Sequence, residues 1–410
     1  MGMEHYEQYT IENSQAAKAL LNILIKEKID ITIVHHNDAD GLCSAAALSK
    51  AFDILSIHYR LLPLEKIHEV LVEKIHAISH GCLIYTDLGG QNATLISQYS
   101  RGDMLVIILD HHLPEEGVAE NCIHLNPENF GINGDIETSG ASVATVFAQE
   151  LLRQASTTMV NAAGELAIFG IIGAFGDRQV KNGVLTGVNE LFFLEAEKRG
   201  LIQKSGRGYI LPGFGNRTPK ELAEILDLLG SIGYYSGTAQ KGIHFLLGKD
   251  HAEAVNTASN LREMKQVKFD AEIKNIKDSG LSKSHHVDWV DVEDRFLPMG
   301  VKAIGLFLEH LIERGITEPD KYVIGFQHFP EAVPGIGTID ISLTKVSARV
   351  GAGLREKIEQ GILPDLMQLI QGATRAVDGI ADGCHRFSAA SLIKCDCKQA
   401  FIDALENMLS

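Results

Sequence analysis

Residues whose types and spacing could do chemistry recur where apolar runs of the chain end. The run at 104–109 is followed directly by Asp110, His111 and His112, which place one carboxylate and two imidazoles in a row. Carboxylates and imidazoles are side chains that bind hard and borderline divalent metal ions. A single Asp more often caps a helix and a single His more often lies in a core, so the triplet alone is a weak signal.

Three further apolar runs end in the same way, which favours a functional interpretation. These runs, at 31–34, 82–85 and 166–175, are followed by His36, Asp38, Asp40, Asp87 and Asp177. In open parallel sheets the ligand site lies beyond the carboxyl ends of the strands. We therefore expect these side chains to meet at one edge of one sheet. Taken alone, the segment at 38–41 is more typical of a turn or a helix cap.

A cluster of Asp oxygens and His nitrogens without thiolates indicates a divalent ion such as Mn²⁺ or Mg²⁺ and disfavours structural zinc. With this many ligands we expect two metal ions about 4 Å apart, an arrangement that suits displacement at phosphorus. One carboxylate would bridge the two ions, and a bridging hydroxide would be the nucleophile. Mn²⁺ is the expected cofactor, with Mg²⁺ as the alternative.

Between these motifs the sequence alternates helical and extended patterns, which predicts the α/β class with a mostly parallel sheet. Helices are expected at 14–28, 42–52, 64–78 and 93–99, and another runs through Leu152 from the small-residue segment 138–142. The run at 166–175 fits either a helix or a strand. We expect a metal-binding catalytic domain at 1–195, a helical insertion with a connecting helix at 196–284, and a smaller α/β domain at 285–410.

The pattern beyond residue 250 supports this second domain. The stretch 251–283 is polar with one apolar stripe, which predicts the helix that connects the two lobes. Apolar or alternating runs predict strands at 287–292, 322–326 and 338–343, and helices are expected at 301–314 and 363–370.

The composition excludes some classes of function. The net charge of -16 argues against a protein that coats duplex DNA, because phosphate binding requires a cationic surface. Residues 337–398 are nearly balanced in charge, so this segment either meets an anion or carries ordinary solvated charge. The six cysteines are scattered and are assigned no chemistry. We expect a soluble, cytoplasmic protein without a membrane partner, since no apolar run approaches the ~18 residues of a membrane span and no secretory leader is visible.

In chain order, the segments 36–41, 86–88, 110–112 and 176–177 resemble the four signature motifs of the DHH phosphoesterase superfamily. The resemblance covers roughly residues 20–195. Within the superfamily the chain is most similar to the RecJ-type single-strand exonucleases, especially the compact archaeal RecJ-like proteins. The resemblance implies a DHH catalytic domain joined by a connecting helix to a DHH-associated domain.

The resemblance also implies a role for each candidate residue of the first domain. Asp87 would bridge the two ions. Asp40, His111 and Asp177 would complete one metal site, and Asp38 with His36 would hold the other. His112 would be a catalytic group that contacts or polarises the substrate phosphate, and Asp110 would orient the imidazoles.

The segments 342–349 and 382–390 resemble the DHH-associated domain. The resemblance implies a substrate-binding site with Ser347, Arg349, Gly383 and His385, in which the Arg349 guanidinium meets a terminal phosphate. A helix beginning with alanines at 389 would add backbone N–H groups. The usual three glycines before the His are here replaced at 382–384 by Asp, Gly and Cys. Without a binding role, Arg349 would be a surface residue and His385 a helix cap.

Together these features predict a divalent-metal-dependent phosphodiesterase that releases nucleotides from single-stranded DNA or RNA, or from short oligonucleotides, in the groove between the two lobes. Two alternatives stay open at this point. One is a phosphatase acting on small molecules or a cyclic-dinucleotide phosphodiesterase. The other is a scaffold without catalytic activity that contacts replication or repair proteins. The polarity of digestion and the oligomeric state are left open by the sequence.

Overall fold

The computed structural model describes residues 2–27, 29–115, 122–181 and 183–410, apart from the side chains of Met3 and Asp382. Its contacts divide the chain into two compact units. The first unit comprises Met1–Ser259 and Pro334–Ile336, and the second comprises Asn260–Val333 and Gly337–Ser410. The division at residues 195 and 284 expected from the sequence stays a prediction.

The first unit contains a five-stranded sheet in which all neighbouring strands are parallel. Its strands are β1 (Ile31–His36), β2 (Tyr59–Leu64), β3 (Cys82–Thr86), β4 (Leu105–Leu109) and β5 (Cys122–Leu125). Their order is β2-β1-β3-β4-β5, so the winding of the chain reverses at β1 and β3. In an open α/β sheet, the carboxyl ends of the strands at such a reversal form the usual ligand site.

The central strands are apolar almost throughout, which is the pattern of parallel strands covered on both faces. Every residue of β3 is buried, and so are the first five residues of β1. The sheet is flanked by a short hairpin and by helices. These are α1 (Met3–Lys26), α2 (Ala39–Leu55), α3 (Glu69–Ile78), α4 (Ala93–Tyr99), α5 (Gly140–Ala155), α6 (Val160–Glu165), α7 (Ala167–Gly176), α8 (Gly187–Lys198), α9 (Pro219–Asp227) and α10 (Ala239–Leu246), with the hairpin β6 (Gln203–Ser205) and β7 (Gly208–Ile210).

The apolar run at 166–175, which fitted a helix or a strand, forms helix α7. The helical stretch Thr157–Gly176 is long and apolar enough to cross a membrane by length and composition, which the sequence analysis did not anticipate. However, 56% of its apolar window is buried within the protein, as is usual for a core helix. Inside the unit, α7 packs against α2 and α5 and ends at Gly176, immediately before Asp177.

The connecting helix predicted at 251–283 is α11 (His251–Ser279), which begins in the first unit and ends in the second. The second unit contains a six-stranded sheet, a separate pair of two-residue strands, and helices. These elements are β8 (Ser282–Lys283), β9 (Val287–Asp291), α12 (Lys302–Glu313), β10 (Tyr322–Phe329), β11 (Ala332–Val333), β12 (Gly337–Thr338), β13 (Leu343–Val350), α13 (Arg355–Glu359), α14 (Leu366–Ala376), β14 (Ile380–Asp382), β15 (Ser388–Lys394) and α15 (Lys398–Leu409).

The six strands follow the order β14-β15-β13-β10-β9-β8. Strands β9 and β10 are parallel, whereas β13 is antiparallel to both of its neighbours. Side chains of α14 and α15 form a buried core with Ile324, Val346 and Ala348 on one face of this sheet. Helix α12 packs on β10 and β13. Both units therefore confirm the predicted α/β class, with the all-parallel sheet in the first unit.

Four predicted elements differ from the structure. Residues 59–64 form β2, an edge strand that tolerates Pro63, and α3 starts only at Glu69. The strand expected at 338–343 lies at Leu343–Val350, where β10 and β15 pair with it on both sides. The helix expected from Ala389 is strand β15, because Ala389 and Ala390 pair with β13. Helix α1 ends at Lys26, and Lys28, the predicted end, lies outside the described residues.

Candidate metal centre

The ends of three adjacent strands bring the predicted ligands of the first unit together. In the parallel register His35 lies opposite Thr86, and Thr86 lies opposite Leu109. The residues that follow, His36, Asp87 and Asp110, therefore leave the sheet side by side at its carboxyl edge. This edge lies at β1 and β3, where the strand order reverses.

One group of possible ligand atoms comes from His36, Asp38 and Asp87. The Nδ1 atom of His36 is 3.0 Å from Asp38 Oδ2 and 3.5 Å from Asp87 Oδ2. Asp38 is the N-cap of α2, and its Oδ1 accepts a 3.0 Å hydrogen bond from the backbone N–H of Gly41. Asp38 can thus cap the helix and also bind a metal ion, because each role uses a different oxygen of its carboxylate.

A second group comes from Asp40, His111 and Asp177. The Nε2 atom of His111 is 3.9 Å from Asp40 Oδ2 and 3.8 Å from Asp177 Oδ2. The same nitrogen is 3.4 Å from Asp87 Oδ1, whereas the other oxygen of Asp87 faces His36. Asp87 is therefore placed between the two groups, as expected for a carboxylate that both would share.

The start of helix α5 holds Asp40 in place. The backbone N–H of Gly140 donates to Asp40 Oδ2 at 2.7 Å, and that of Ala141 donates to Asp40 Oδ1 at 3.0 Å. Orphan N–H groups and the positive end of the dipole make a helix start a good partner for a buried carboxylate. This approach requires a glycine, because a Cβ on Gly140 would lie 2.2 Å from Asp87 Oδ1.

His111 has a fixed tautomer and an unused nitrogen. Its Nδ1 donates to the carbonyl oxygen of Gly134 at 2.8 Å, which leaves Nε2 as the lone-pair nitrogen of the neutral ring. Nε2 is buried and makes no hydrogen bond within the described residues, although three carboxylates surround it. A nitrogen aimed into a cluster of carboxylate oxygens is suited to hold a proton or, as the neutral ring, a divalent cation.

Asp110 contacts the imidazole of His112 and the backbone of His111. Its Oδ2 accepts from Gly90 N–H at 2.6 Å, and its Oδ1 accepts from His111 N–H and from His112 Nδ1, both at 2.8 Å. The partly buried His112 ring lies 4.3 Å from that of His111, centroid to centroid. The carboxylate of Asp110 is thus occupied by protein donors, an arrangement that suits the orienting role assigned to it, and His112 lies beside the ligands.

The charges of the cluster are unbalanced in the absence of a cation. Burial, together with the nearby Asp87 and Asp177 carboxylates, raises the pKa of Asp40 well above its usual range. Burial alone would lower the pKa of His111, but the carboxylates of Asp177 and Asp87 raise it well above its usual value. Both shifts mean that the cluster binds protons where its carboxylates are crowded. Divalent ions are the natural replacement for these protons, so the residues present fit a metal centre.

Metal binding at this centre should strengthen with pH. Burial would lower the pKa of His36, but Asp38 raises it to about 9, so the ring is protonated at neutral pH and must lose its proton to ligate. We expect the Mn²⁺ affinity to rise up to tenfold per pH unit between pH 7 and about 9 for each proton released. Calorimetry in buffers of different ionisation enthalpy measures this release. His36→Asn should remove the part that this ring contributes, and an unchanged proton count in that variant would contradict the assignment.

Two buried polar residues that the sequence did not indicate, Gln179 and Asn189, support the second group together with two serines of the small-residue segment 138–142. Gln179 Nε2 donates to Asp177 Oδ2 and to Gly134 O, both at 2.7 Å. Asn189 Nδ2 in turn donates to Gln179 Oε1 at 2.7 Å, and Ser142 and Ser139 contact Asn189. Gln179 and Asn189 carry no sequence pattern that identifies them, because they meet the site only in the fold. The segment 138–142 was recognisable as a small-residue helix start, and its serines contact Asn189.

The predicted substrate-binding residues of the second unit are brought close by strand pairing. Ser347 and Arg349 alternate with core residues on β13, so they point to the face covered by α12, where a Cβ on Gly305 would lie within 3.4 Å of both side chains. Ala390, on β15, pairs with Ser347 and with residue 382, the residue before Gly383. Gly383 and the exposed His385 lie in the turn that joins β14 to β15.

Arg349 already has protein partners. Its Nε donates to Glu309 Oε1 at 3.0 Å and its Nη1 donates to Ala348 O at 2.9 Å. The predicted anion-binding helix start at Ala389 is wrong, since β15 is a strand. The side chain of Asp382, which stands where the resemblance expects a glycine, lies outside the described part of the chain.

Comparison with known proteins agrees with this geometry. Residues 30–171 match the model of the DHH family, N-terminal domain. An uncharacterized protein of Methanocaldococcus jannaschii is 29% identical over 185 residues, which is 42% of this chain and 39% of that protein. The chain thus spans about two fifths of the length of this relative.

Solved structures of RecJ share the fold over almost the whole chain. RecJ from Thermus thermophilus in complex with Mn²⁺ superposes with a TM-score of 0.66 at 17% identity, covering 97% of this chain and 54% of that one. An exonuclease RecJ bound to manganese gives a TM-score of 0.61 at 17% identity, covering 97% and 94%. The chain therefore spans about half the length of the Thermus protein.

The family match and the fold agree with the site. Residues 30–171 match the DHH family, N-terminal domain, and all the residues of the metal-ligand cluster except Asp177 lie in this segment. The fold of the chain is RecJ-like.

Proposed function

We propose that this protein is a divalent-metal-dependent phosphodiesterase that releases nucleotides from single-stranded DNA or RNA, or from short oligonucleotides. The observation that carries the proposal is Asp87, which has one oxygen toward His36 in its own ligand group and the other toward His111 in the group with Asp40 and Asp177. A carboxylate with one oxygen toward each group is the arrangement that a pair of metal ions requires. The RecJ structures bound to Mn²⁺ support Mn²⁺ as the first ion to test.

Each residue then has a chemical task. His36 and Asp38 hold one ion, Asp40, His111 and Asp177 hold the other, and Asp87 contacts both. When bound, the two ions polarise the phosphoryl oxygens and lower the pKa of the attacking water. His112, fixed by Asp110, is positioned to donate a hydrogen bond to a phosphate oxygen beside the ligands.

The retained ligands also argue against one alternative, the scaffold. A scaffold that contacts replication proteins does not need the buried lone pair of His111 or the two backbone donors on Asp40, yet both are present. A phosphatase for small molecules would use the same centre. The cleavage of oligomers, tested as follows, distinguishes these functions.

The test is the digestion of end-labelled single-stranded DNA and RNA of several lengths with Mn²⁺, after metal removal by a chelator and after Mn²⁺ is restored. We expect stepwise release of nucleotides that stops on chelation and resumes with Mn²⁺. Asp38→Asn should lower kcat about a thousandfold, because it removes several kcal/mol of charge stabilisation from one site. The matched control is Asp103→Asn, whose side chain is 81% exposed and should not matter.

Two results would contradict the proposal. Cleavage of bis(p-nitrophenyl) phosphate or pyrophosphate with no cleavage of any oligomer would favour the small-molecule phosphatase. Mn²⁺ binding without hydrolysis of any phosphoester would favour the scaffold.

Arg349 provides a separate prediction for substrate binding. A guanidinium that binds a terminal phosphate contributes a charge-assisted hydrogen bond of about 1.5–3 kcal/mol. Arg349→Ala should therefore raise KM roughly tenfold to a hundredfold for oligomers with a terminal phosphate and much less for oligomers without one. The control is Arg375→Ala on α14, an exposed arginine of the same unit. Equal KM changes for both kinds of end would exclude the role.

A further inference from the structure

We propose that Gln179 and Asn189 are positioning residues for one metal site only, the site formed by Asp40, His111 and Asp177. The inference rests on the proposed metal centre and goes beyond it, because it assigns a residue pair that determines the relative affinity of the two sites. Neither residue is placed to bind the metal ion itself. Their hydrogen bonds instead hold all three ligands of that site, either directly or through the backbone groups that bind those ligands.

The first step is the direction of the hydrogen bonds. The backbone N–H of Ser139 can only donate, so the Asn189 atom that lies 3.3 Å from it must be Oδ1. The opposite atom of Asn189, 2.7 Å from Gln179, is then Nδ2, and it donates to Gln179 Oε1. Gln179 Nε2 consequently faces acceptors. The backbone N–H of Ser139 thus fixes the orientation of the Asn189 side-chain amide, and Asn189 in turn fixes the orientation of the Gln179 amide.

The second step is where Gln179 Nε2 points. It lies 2.7 Å from Asp177 Oδ2 and 2.7 Å from the carbonyl oxygen of Gly134, with Thr138 O at 3.1 Å. The same Gly134 carbonyl accepts from His111 Nδ1 at 2.8 Å. Gln179 therefore holds Asp177 directly, and it holds His111 through the carbonyl that fixes the ring.

The third step connects Asn189 to Asp40. Asn189 Oδ1 accepts from Ser142 Oγ at 2.6 Å and from Ser139 N–H, and these serines flank Gly140 and Ala141. Gly140 and Ala141 supply the two N–H groups that bind the Asp40 carboxylate. Asn189 thus fixes the start of α5, which fixes Asp40.

The other site is held differently. Asp38 is oriented by Gly41 N–H at the start of α2, and His36 is delivered by β1. Gln179 and Asn189 are 3% and 0% exposed, so water does not replace their bonds if one is lost. Substitution of Gln179 or Asn189 should consequently lower the metal affinity of the site with Asp40, His111 and Asp177 and leave that of the other site unchanged.

The test is Mn²⁺ binding to the full chain without substrate, measured by calorimetry and by electron paramagnetic resonance. The variants are Gln179→Glu, which turns a donor toward Asp177 into a carboxylate, and Asn189→Asp, which removes the donor to Gln179. Gln179→Met is a third, uncharged variant that keeps the shape if the charged ones do not fold. The matched control is Gln154→Glu, a partner of Ser14 near the surface.

We expect the wild type and Gln154→Glu to bind two Mn²⁺ and to give the spectrum of a coupled pair. In the Gln179 and Asn189 variants, one Mn²⁺ should bind as in the wild type and the other about 10–100-fold more weakly, which leaves the spectrum of a single ion at low Mn²⁺. Excess Mn²⁺ should restore the coupled spectrum.

The inference would be overturned if a folded Gln179→Met variant bound both Mn²⁺ ions with the affinities of the wild type. It would also be overturned if the variants weakened Mn²⁺ binding equally at both sites. A wild type that binds two Mn²⁺ but cleaves no oligomer would overturn only the proposed function. A wild type that binds no Mn²⁺ would overturn both.

Discussion

Asp87→Asn should abolish both metal binding and activity, with a loss of at least about a thousandfold in kcat/KM. The two oxygens of Asp87 face different ligand groups, at 3.4 Å from His111 Nε2 and 3.5 Å from His36 Nδ1. Asparagine has nearly the same shape, but it replaces one of the two oxygens with an NH₂ group that cannot ligate a cation. One substitution therefore removes the ligand oxygen of one site and the negative charge that both sites share.

The comparison with Asp38→Asn makes this prediction specific. Asp38 belongs to one group only, so its variant should keep one strongly bound Mn²⁺, whereas Asp87→Asn should keep none. Calorimetry gives the number of ions, and digestion of labelled oligomers gives kcat/KM. The folded state of Asp87→Asn is checked by its thermal transition without metal. Tight binding of two ions by Asp87→Asn would show that Asp87 is not shared.

Gly140→Ala is expected to lower both the stability of the fold and the activity. A Cβ at this position would lie 2.2 Å from Asp87 Oδ1 and 2.6 Å from Asp87 Cβ, so either the shared carboxylate or the start of α5 must move. Moving α5 would break the bonds of Gly140 and Ala141 to Asp40. We expect a loss of about 1–3 kcal/mol in the free energy of unfolding and a fall in activity of at least about a hundredfold.

A loss of stability in Gly140→Ala would be informative, because replacing glycine by alanine in a helix ordinarily raises the free energy of unfolding by about 1 kcal/mol. Gly102→Ala is the matched control, since nothing lies within 4 Å of its added Cβ. Thermal unfolding and Mn²⁺ titration of both variants check the prediction. If Gly140→Ala gained stability and bound Mn²⁺ as the wild type does, the close approach of α5 to Asp87 would be wrong.

The ligand set could be predicted because it depends on rules that are local in sequence. Apolar runs that end in Asp predict where strands leave a sheet, and parallel pairing then brings those ends together. His36, Asp87 and Asp110 lie in one row for this reason. The edge strand β2 was missed because it is less apolar than the central strands and contains Pro63.

The rest of the site depends on contacts that no local sequence pattern predicts. Gln179 and Asn189 meet the site only because α7 and α8 pack together, and a buried Gln or Asn resembles an exposed one in sequence. At residues 388–394 the predicted secondary structure was wrong. The resemblance to the DHH-associated domain implied a helix from Ala389, but β13 offers backbone partners that make this segment a strand, so tertiary pairing decided the structure.

The backbone of Asp87 lies in the left-handed region, with φ of 60°, and its N–H donates to Leu109 O at 2.9 Å. A residue other than glycine in this region carries a cost of order 1 kcal/mol, although Asp bears it better than most. Directed evolution for heat tolerance alone would therefore favour glycine at position 87 and eliminate the shared ligand. A library selected for thermostability should hold this codon fixed, because here robustness of the fold and hydrolytic competence are in conflict.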